Sequence, residues 1–252
     1  MMSQRGILYI TWGNKSDDVL ERSMASAARY HAELPIHVVR LPESATLLEK
    51  SKMLDMTPFE ETLFLDADTV VLGRLDFGFD KAKRHGLACA ICECPWARRY
   101  GGLAGDLVEY NTGVLFFTGS ARPVFDAWQE LAFSVDSSIP ILHQGRIHRM
   151  PLNDQAGFAL ALERHGFLPF VLPMNWNYRP KWHKSFFGPV KIWHDYAVVP
   201  PELHAWNRVQ GEDQPVVHYT ELFGAAAGGE TDRGRSSRAE PPSCRPAKGA
   251  NS

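Results

Sequence analysis

The chain has 252 residues, 44% of them hydrophobic, which is enough to build the core of one large α/β domain. Its formal net charge of -2, with both signs mixed along the chain, leaves no basic stripe of the kind nucleic acid requires. No apolar run approaches the ~20 residues of a membrane helix, and the first residues lead into Gly6-Ile7-Leu8 without a secretory leader, so the expected location is cytoplasmic.

The first elements alternate. Gly6 to Thr11 reads as a buried strand, followed by the loop Trp12-Gly13-Asn14-Lys15. Ser16 is placed to cap a helix whose first turn holds Asp17 and Asp18, and Leu20, Met24, Ala27, Ala28 and His31 recur at helical spacing. Pro35 ends that pattern, and Ile36 to Leu41 forms a second strand. A second helix is expected from Ser44 to Met56, stopping before Pro58. Thr62-Leu63-Phe64-Leu65 is then a short continuous apolar run, as in a strand buried on both faces. This order predicts a mostly parallel sheet with helices on both sides, and ligands in such sheets sit beyond the carboxyl ends of the strands. Thr11, Trp12, Asp66 and Asp68 fall there.

Further along, Gly86 to Cys92 and Val114 to Phe117 read as strands. Ser120 and Pro123 open a helix bearing Val124, Phe125, Trp128, Leu131 and Ala132 on one face. Asn153 caps another helix, which runs to His165 and ends at Gly166. Short strands are expected at Val190–Trp193 and Val216–Tyr219. Met174 to Trp182 interleaves aromatic and polar groups, a mixture suited to the C–H faces and hydroxyls of sugars as well as to core packing. Residues 224–252 contain no aromatic or branched aliphatic side chain and are expected to be a disordered polar tail. Cys89, Cys92 and Cys94 crowd one strand and Cys244 lies in the tail, which fits neither a disulfide framework nor a zinc site.

The chemical signal is Leu63-Phe64-Leu65-Asp66-Ala67-Asp68-Thr69. Strand side chains alternate with a period of two, so the two carboxylates are expected on one side. Close carboxylates repel unless a cation lies between them, and a hard divalent ion such as Mn²⁺ or Mg²⁺ suits oxygen ligands. Such an ion would bridge a diphosphate and ease its departure.

Residues 62–71, Thr-Leu-Phe-Leu-Asp-Ala-Asp-Thr-Val-Val, resemble the Asp-x-Asp segment of GT-A-fold glycosyltransferases, in particular glycosyltransferase family 8 and its bacterial relatives. Lys52-Met53-Leu54 is similar to the basic residue and apolar pair that precede this segment. Residues 110–116, Tyr-Asn-Thr-Gly-Val-Leu-Phe, resemble the family's Asn-x-Gly-Val segment, and Asn153-Asp154-Gln155 its Asp-Gln pair. The resemblance spans residues 6–223 and implies one Rossmann-like GT-A domain over 1–223. It further implies a nucleotide-sugar donor, UDP-linked by preference, and transfer of a hexosyl group to a carbohydrate, lipid-linked or protein acceptor.

Carried over to this chain, the resemblance implies that Asp66, Ala67 and Asp68 meet the metal and the diphosphate, with His218 as third ligand. Lys52 would approach the phosphates, and Thr11 and Trp12 the base and ribose. Asn111, Gly113, Asp154 and Gln155 would line the sugar or acceptor pocket. His194 competes with His218 for the ligand role, and an inverting transfer would take Asp154 or Asp195 as base. The Lys-Pro-Trp that follows the family's C-terminal histidine is absent here.

Asp66-Ala67-Asp68-Thr69-Val70 also resembles the first motif of haloacid-dehalogenase-type phosphatases, with Asp66 as nucleophile. That motif usually lies near the N-terminus, whereas two strand–helix units precede it here. A sugar nucleotidyltransferase would open with a Gly-rich loop, but residues 11–15 carry a single Gly. A non-catalytic carbohydrate-binding protein would need no paired carboxylates.

Overall fold

The computed structural model describes residues 3–14, 16–93, 100, 101, 103, 107–143, 145–183 and 186–211. The expected strand at Val216–Tyr219, His218, the domain boundary at 223, the tail, Cys94 and Cys244 lie outside these residues.

Strand β1 (Ser3–Trp12) leads into α1 (Asp17–Tyr30) and β2 (Ile36–Leu41). Ser16 makes no side-chain capping bond. The acidic first turn is tied down by Asp17, which receives Arg40 at 2.7 Å. The expected helix over 44–56 is instead a 3-10 segment, Leu47–Lys52, running into a single turn, α2 (Met53–Met56). Strand β3 (Phe59–Leu65) and the short β4 (Thr69–Val71) follow. The sequence reading missed α3 (Asp76–His85), whose last turn ends at Gly86 with φ +81, in the left-handed region that glycine tolerates. Next come β5 (Leu87–Ile91), β6 (Tyr110–Thr118) and α4 (Arg122–Ala132). A hairpin, β7 (Pro140–His143) with β8 (Arg146–Arg149), was also not anticipated. The chain continues through α5 (Gln155–Arg164), β9 (Phe170–Leu172), β10 (Ile192–His194) and α6 (Pro201–Val209).

The central sheet has the order β2-β1-β3-β6-β5-β9. All neighbours pair in parallel except β6, which runs antiparallel to both β3 and β5. Alternation splits the core between the two faces. Leu8, Ile10, Phe64, Leu115 and Phe117 pack toward α4 and α5, against Trp128 and Phe158. Ile7, Tyr9, Leu63, Leu65 and Phe116 pack toward α1 and α3, against Leu20 and Phe79. Each such fully buried side chain contributes about 1.5–3 kcal/mol relative to exposure. Cys89 and Cys92 are buried within this core.

Because β6 is reversed, its first residues lie beside the last residues of β3. Leu65 pairs with Val114, and the Asp66 amide donates to Gly113 O at 2.8 Å. Among the described residues no helix is long and apolar enough to cross a membrane.

Candidate active site

A cavity of about 460 Å³ opens at the carboxyl edge of β1 and β3. Its wall includes Thr11 and Trp12 from the end of β1, Asp66, Ala67 and Asp68 after β3, and Asn111 and Gly113 from β6. Asp154 and Gln155 from the start of α5 complete that set.

The two aspartates converge for a reason other than the strand alternation expected from the sequence. Strand β3 ends at Leu65, so strand alternation does not govern Asp66 and Asp68. A tight turn does: the Thr69 amide and hydroxyl both donate to the Asp66 carbonyl, at 3.1 and 2.8 Å. Thr69 then pairs with His194 across β4 and β10. That register delivers His194 Nε2 to 3.3 Å from Asp68 Oδ1 and 3.8 Å from Asp66 Oδ2. Asp66, Asp68 and His194 thus offer three ligand atoms within 4.8 Å of one another.

Oxygen, oxygen and imidazole nitrogen facing an open cavity fit a divalent ion such as Mn²⁺, with further positions left for a substrate. Gly113 makes room for the cluster. A Cβ there would stand 2.6 Å from Asp66 Oδ2 and closer still to His194 Cε1. His218, the other candidate ligand, lies outside the described residues.

The lysine in the site is Lys50, not Lys52. Lys52 is half-exposed and paired with Glu49 at 2.7 Å, whereas Lys50 is 2% exposed and donates to Asp66 Oδ1 at 2.8 Å. The 3-10 turn directs it inward over the Phe64 ring. A sequence signal existed, because Lys50 lies three residues before Met53 and four before Leu54, on the apolar face of the segment. Burial works against the Lys50 charge, but Asp154 and Asp66, with a smaller contribution from Asp68, outweigh it and hold its pKa above the usual value.

Asp154 is 2% exposed, accepts from Thr112 Oγ1 at 2.7 Å and lies 3.8 Å from Lys50. Burial raises its pKa despite Lys50 and Thr112. Burial also works to raise Asp68, but the hydrogen bond and charge of His194 bring it below the usual range. Asp195, the other candidate base, does not line the cavity. Its carboxylate accepts from the Ala197 amide at 2.8 Å and faces Lys181 at 3.5 Å, so two neighbours hold it elsewhere.

Trp12 lines the cavity with its indole N–H on Thr46 O at 3.3 Å. Thr11 Oγ1 is buried there without a hydrogen-bond partner among the described residues. Asn111 is buried, with Oδ1 accepting from the Gly113 amide and from Asn177. Asn177 and Arg179 belong to the Met174–Trp182 segment, whose mixed composition suits sugars as well as core packing, whereas Tyr196 was not singled out. Arg179 reaches the cavity from its anchor on the buried Glu93, and Tyr196 adjoins His194 at the rim.

By sequence, no family model and no curated protein matches the chain. By structure it is similar to the galactosyltransferase LgtC in complex with donor and acceptor sugar analogues. The TM-score is 0.52 and the identity 15%, over 88% of this chain and 95% of that one. It is also similar to the glycosyltransferase GlyE of Streptococcus pneumoniae TIGR4, with TM-score 0.50 and 14% identity, over 90% of this chain and 61% of that one. Mouse xyloside xylosyltransferase 1 gives TM-score 0.50 and 15% identity, over 78% of this chain and all (100%) of that one. The chain has the GT-A glycosyltransferase fold.

Proposed function

We propose that this chain transfers a hexosyl group from a nucleoside-diphosphate sugar, by preference a UDP-sugar, to an acceptor hydroxyl on a carbohydrate, lipid-linked or protein acceptor. The observation that carries the reading is the convergence of Asp66, Asp68 and His194 at the carboxyl edge of a GT-A sheet. Trp12 offers a ring face to the base, and the unpartnered Thr11 hydroxyl offers a contact to the ribose. Asp66, Asp68 and His194 would hold Mn²⁺ or Mg²⁺, which when bound supplies electrostatic stabilisation of the departing diphosphate. Lys50 holds Asp66 in place, and Asp154 with Gln155 walls the sugar end.

Of the two carboxylates considered as base, only Asp154 faces the cavity. The phosphatase reading, with Asp66 as nucleophile, finds no support in the fold, whose structural neighbours are glycosyltransferases.

The test is calorimetric binding of UDP and GDP, each with and without Mn²⁺, to wild type and Asp68→Ala. Binding that depends on Mn²⁺ and disappears in the variant supports the donor site and identifies the base. Absence of binding under every condition refutes it, and phosphatase turnover then becomes the assay to run.

A further inference from the structure

Asn177 is not part of the cavity wall, yet it is buried between two residues that are. Its Nδ2 donates to Asn111 Oδ1 at 2.9 Å, and its Oδ1 lies 2.7 Å from His194 Nδ1. Asn111 Oδ1 also accepts from the Gly113 backbone amide at 2.9 Å. The relative exposures of Asn111, Asn177 and His194 are 4%, 3% and 6%, so bulk solvent offers little competition.

These contacts have a direction that one backbone group dictates. The Gly113 N–H can only donate, so the Asn111 atom facing it is the carbonyl oxygen. An oxygen there obliges Asn177 to turn its NH₂ toward Asn111 and its own oxygen toward the imidazole. An oxygen acceptor at 2.7 Å requires His194 Nδ1 to carry the hydrogen. The charged ring carries a hydrogen on both nitrogens, but the neutral ring, the form that can hold a cation, then has its lone pair on Nε2, the nitrogen that faces Asp66 and Asp68.

We infer that the Gly113 amide, Asn111 and Asn177 form a polarity relay that fixes His194 as its Nδ1–H tautomer, making Asn111 and Asn177 positioning residues for a cation at Asp66, Asp68 and His194. The cation itself rests on the donor-site reading above; the tautomer does not. The relay also commits Asn111 Oδ1, leaving only its Nδ2 for a sugar. A side chain that merely filled space at 177 would be indifferent to which way the Asn111 amide points.

The experiment is nitrogen-resolved imidazole spectroscopy of the metal-free protein at alkaline pH, with the His194 signals identified by their loss in His194→Gln. Wild type should show the Nδ1–H form. The described hydrogen bonds of Asn111 go to Gly113 and Asn177 and none to His194, so Asn111→Leu acts on the ring by freeing the Asn177 amide to turn over, and the tautomer should become mixed or inverted. Asn111→Asp keeps acceptor oxygens for both the Gly113 and Asn177 donors and should restore the Nδ1–H form. In parallel, Mn²⁺ affinity in the presence of UDP should fall roughly 10–100-fold in Asn111→Leu and Asn177→Leu. An Nε2–H ring in wild type, or a tautomer unmoved in Asn111→Leu, overturns the relay. The wild-type spectrum can refute it by itself, so a variant that does not fold does not shield it. Wild type that binds no UDP with Mn²⁺ would instead refute the donor site, with the tautomer still deciding the relay.

Discussion

Replacing Gly113 with alanine tests the packing of the whole cluster with one methyl group. The new Cβ would stand 2.6 Å from Asp66 Oδ2 and 3.1 Å from Asn111 Oδ1, and nearer still to His194 Cε1. Ordinary contact begins at 3.4 Å, so Asp66 must retreat by close to an ångström and the imidazole by more. The β6 backbone cannot yield easily, because it is bonded to β3 and β5 on its two sides and its Gly113 carbonyl receives the Asp66 amide. Overpacking of this kind costs about 1–3 kcal/mol. In a domain of this size that corresponds to a fall in melting temperature of about 2–12 °C. Function should suffer more, since Cε1 adjoins Nε2 and the displacement moves a ligand atom. We expect Mn²⁺-dependent UDP binding to weaken by roughly 10–100-fold, the range found when a metal ligand loses its alignment. Calorimetry and thermal unfolding on the same preparation read both numbers. Binding within twofold of wild type would show that the cluster is looser than its geometry implies, and would refute the steric argument.

Lys50→Met leaves Asp66 and Asp154 without their shared cation and should cost about 3–5 kcal/mol in urea unfolding. That loss should shrink at acid pH, because Asp154, already raised by burial, takes up a proton more readily once Lys50 is gone; an equal loss across pH contradicts this. Lys52→Ala should change stability by less than about 0.5 kcal/mol and leave UDP affinity unmoved, since its half-exposed pair with Glu49 lies away from the cavity; a clear loss of affinity would reinstate it as a donor contact.

His31 gives a pH prediction with a definite sign. Its Nε2 accepts the Leu75 amide at 2.9 Å, and burial pulls its pKa below the ordinary 6.5. As pH falls below 6.5 the unfolded chain gains this proton before the folded one, so stability declines until the folded value is passed. His31→Gln should flatten that part of the urea-midpoint profile, and a profile of unchanged slope would argue against it.

The residues explain which features a sequence can disclose. Thr62 to Leu65 announced a strand buried on both faces because continuous apolar runs have few other uses. The helical spacing of Val124, Phe125 and Trp128 marked α4 just as clearly. Helix α3 escaped because it is only ten residues long with the poor helix former Gly78 inside it, although Leu75, Phe79 and Ala82 stand at helical spacing, and the β7–β8 hairpin because its strands are only four residues long. The stop after Leu65 gave Asp66 and Asp68, whose chemistry depends on residue type and on closeness along the chain. Lys50 shares the apolar face of Met53 and Leu54, so residue spacing points to it, whereas the family resemblance points to Lys52.

The α/β alternation and the buried strand that leads into paired aspartates are legible in the residues themselves, and Asn111, Asp154 and Gln155 follow from the family resemblance. Local periodicity and turn chemistry are written along the chain. Only the tertiary structure decided that β6 is reversed, that Asp66 and Asp68 converge through a turn, and that His194 joins them. It also seats the Asn177 side chain against that histidine and holds Asp195 outside the cavity. The β4–β10 pairing brings positions 69 and 194 together, and such a register is set by packing and backbone hydrogen bonding between segments remote in sequence.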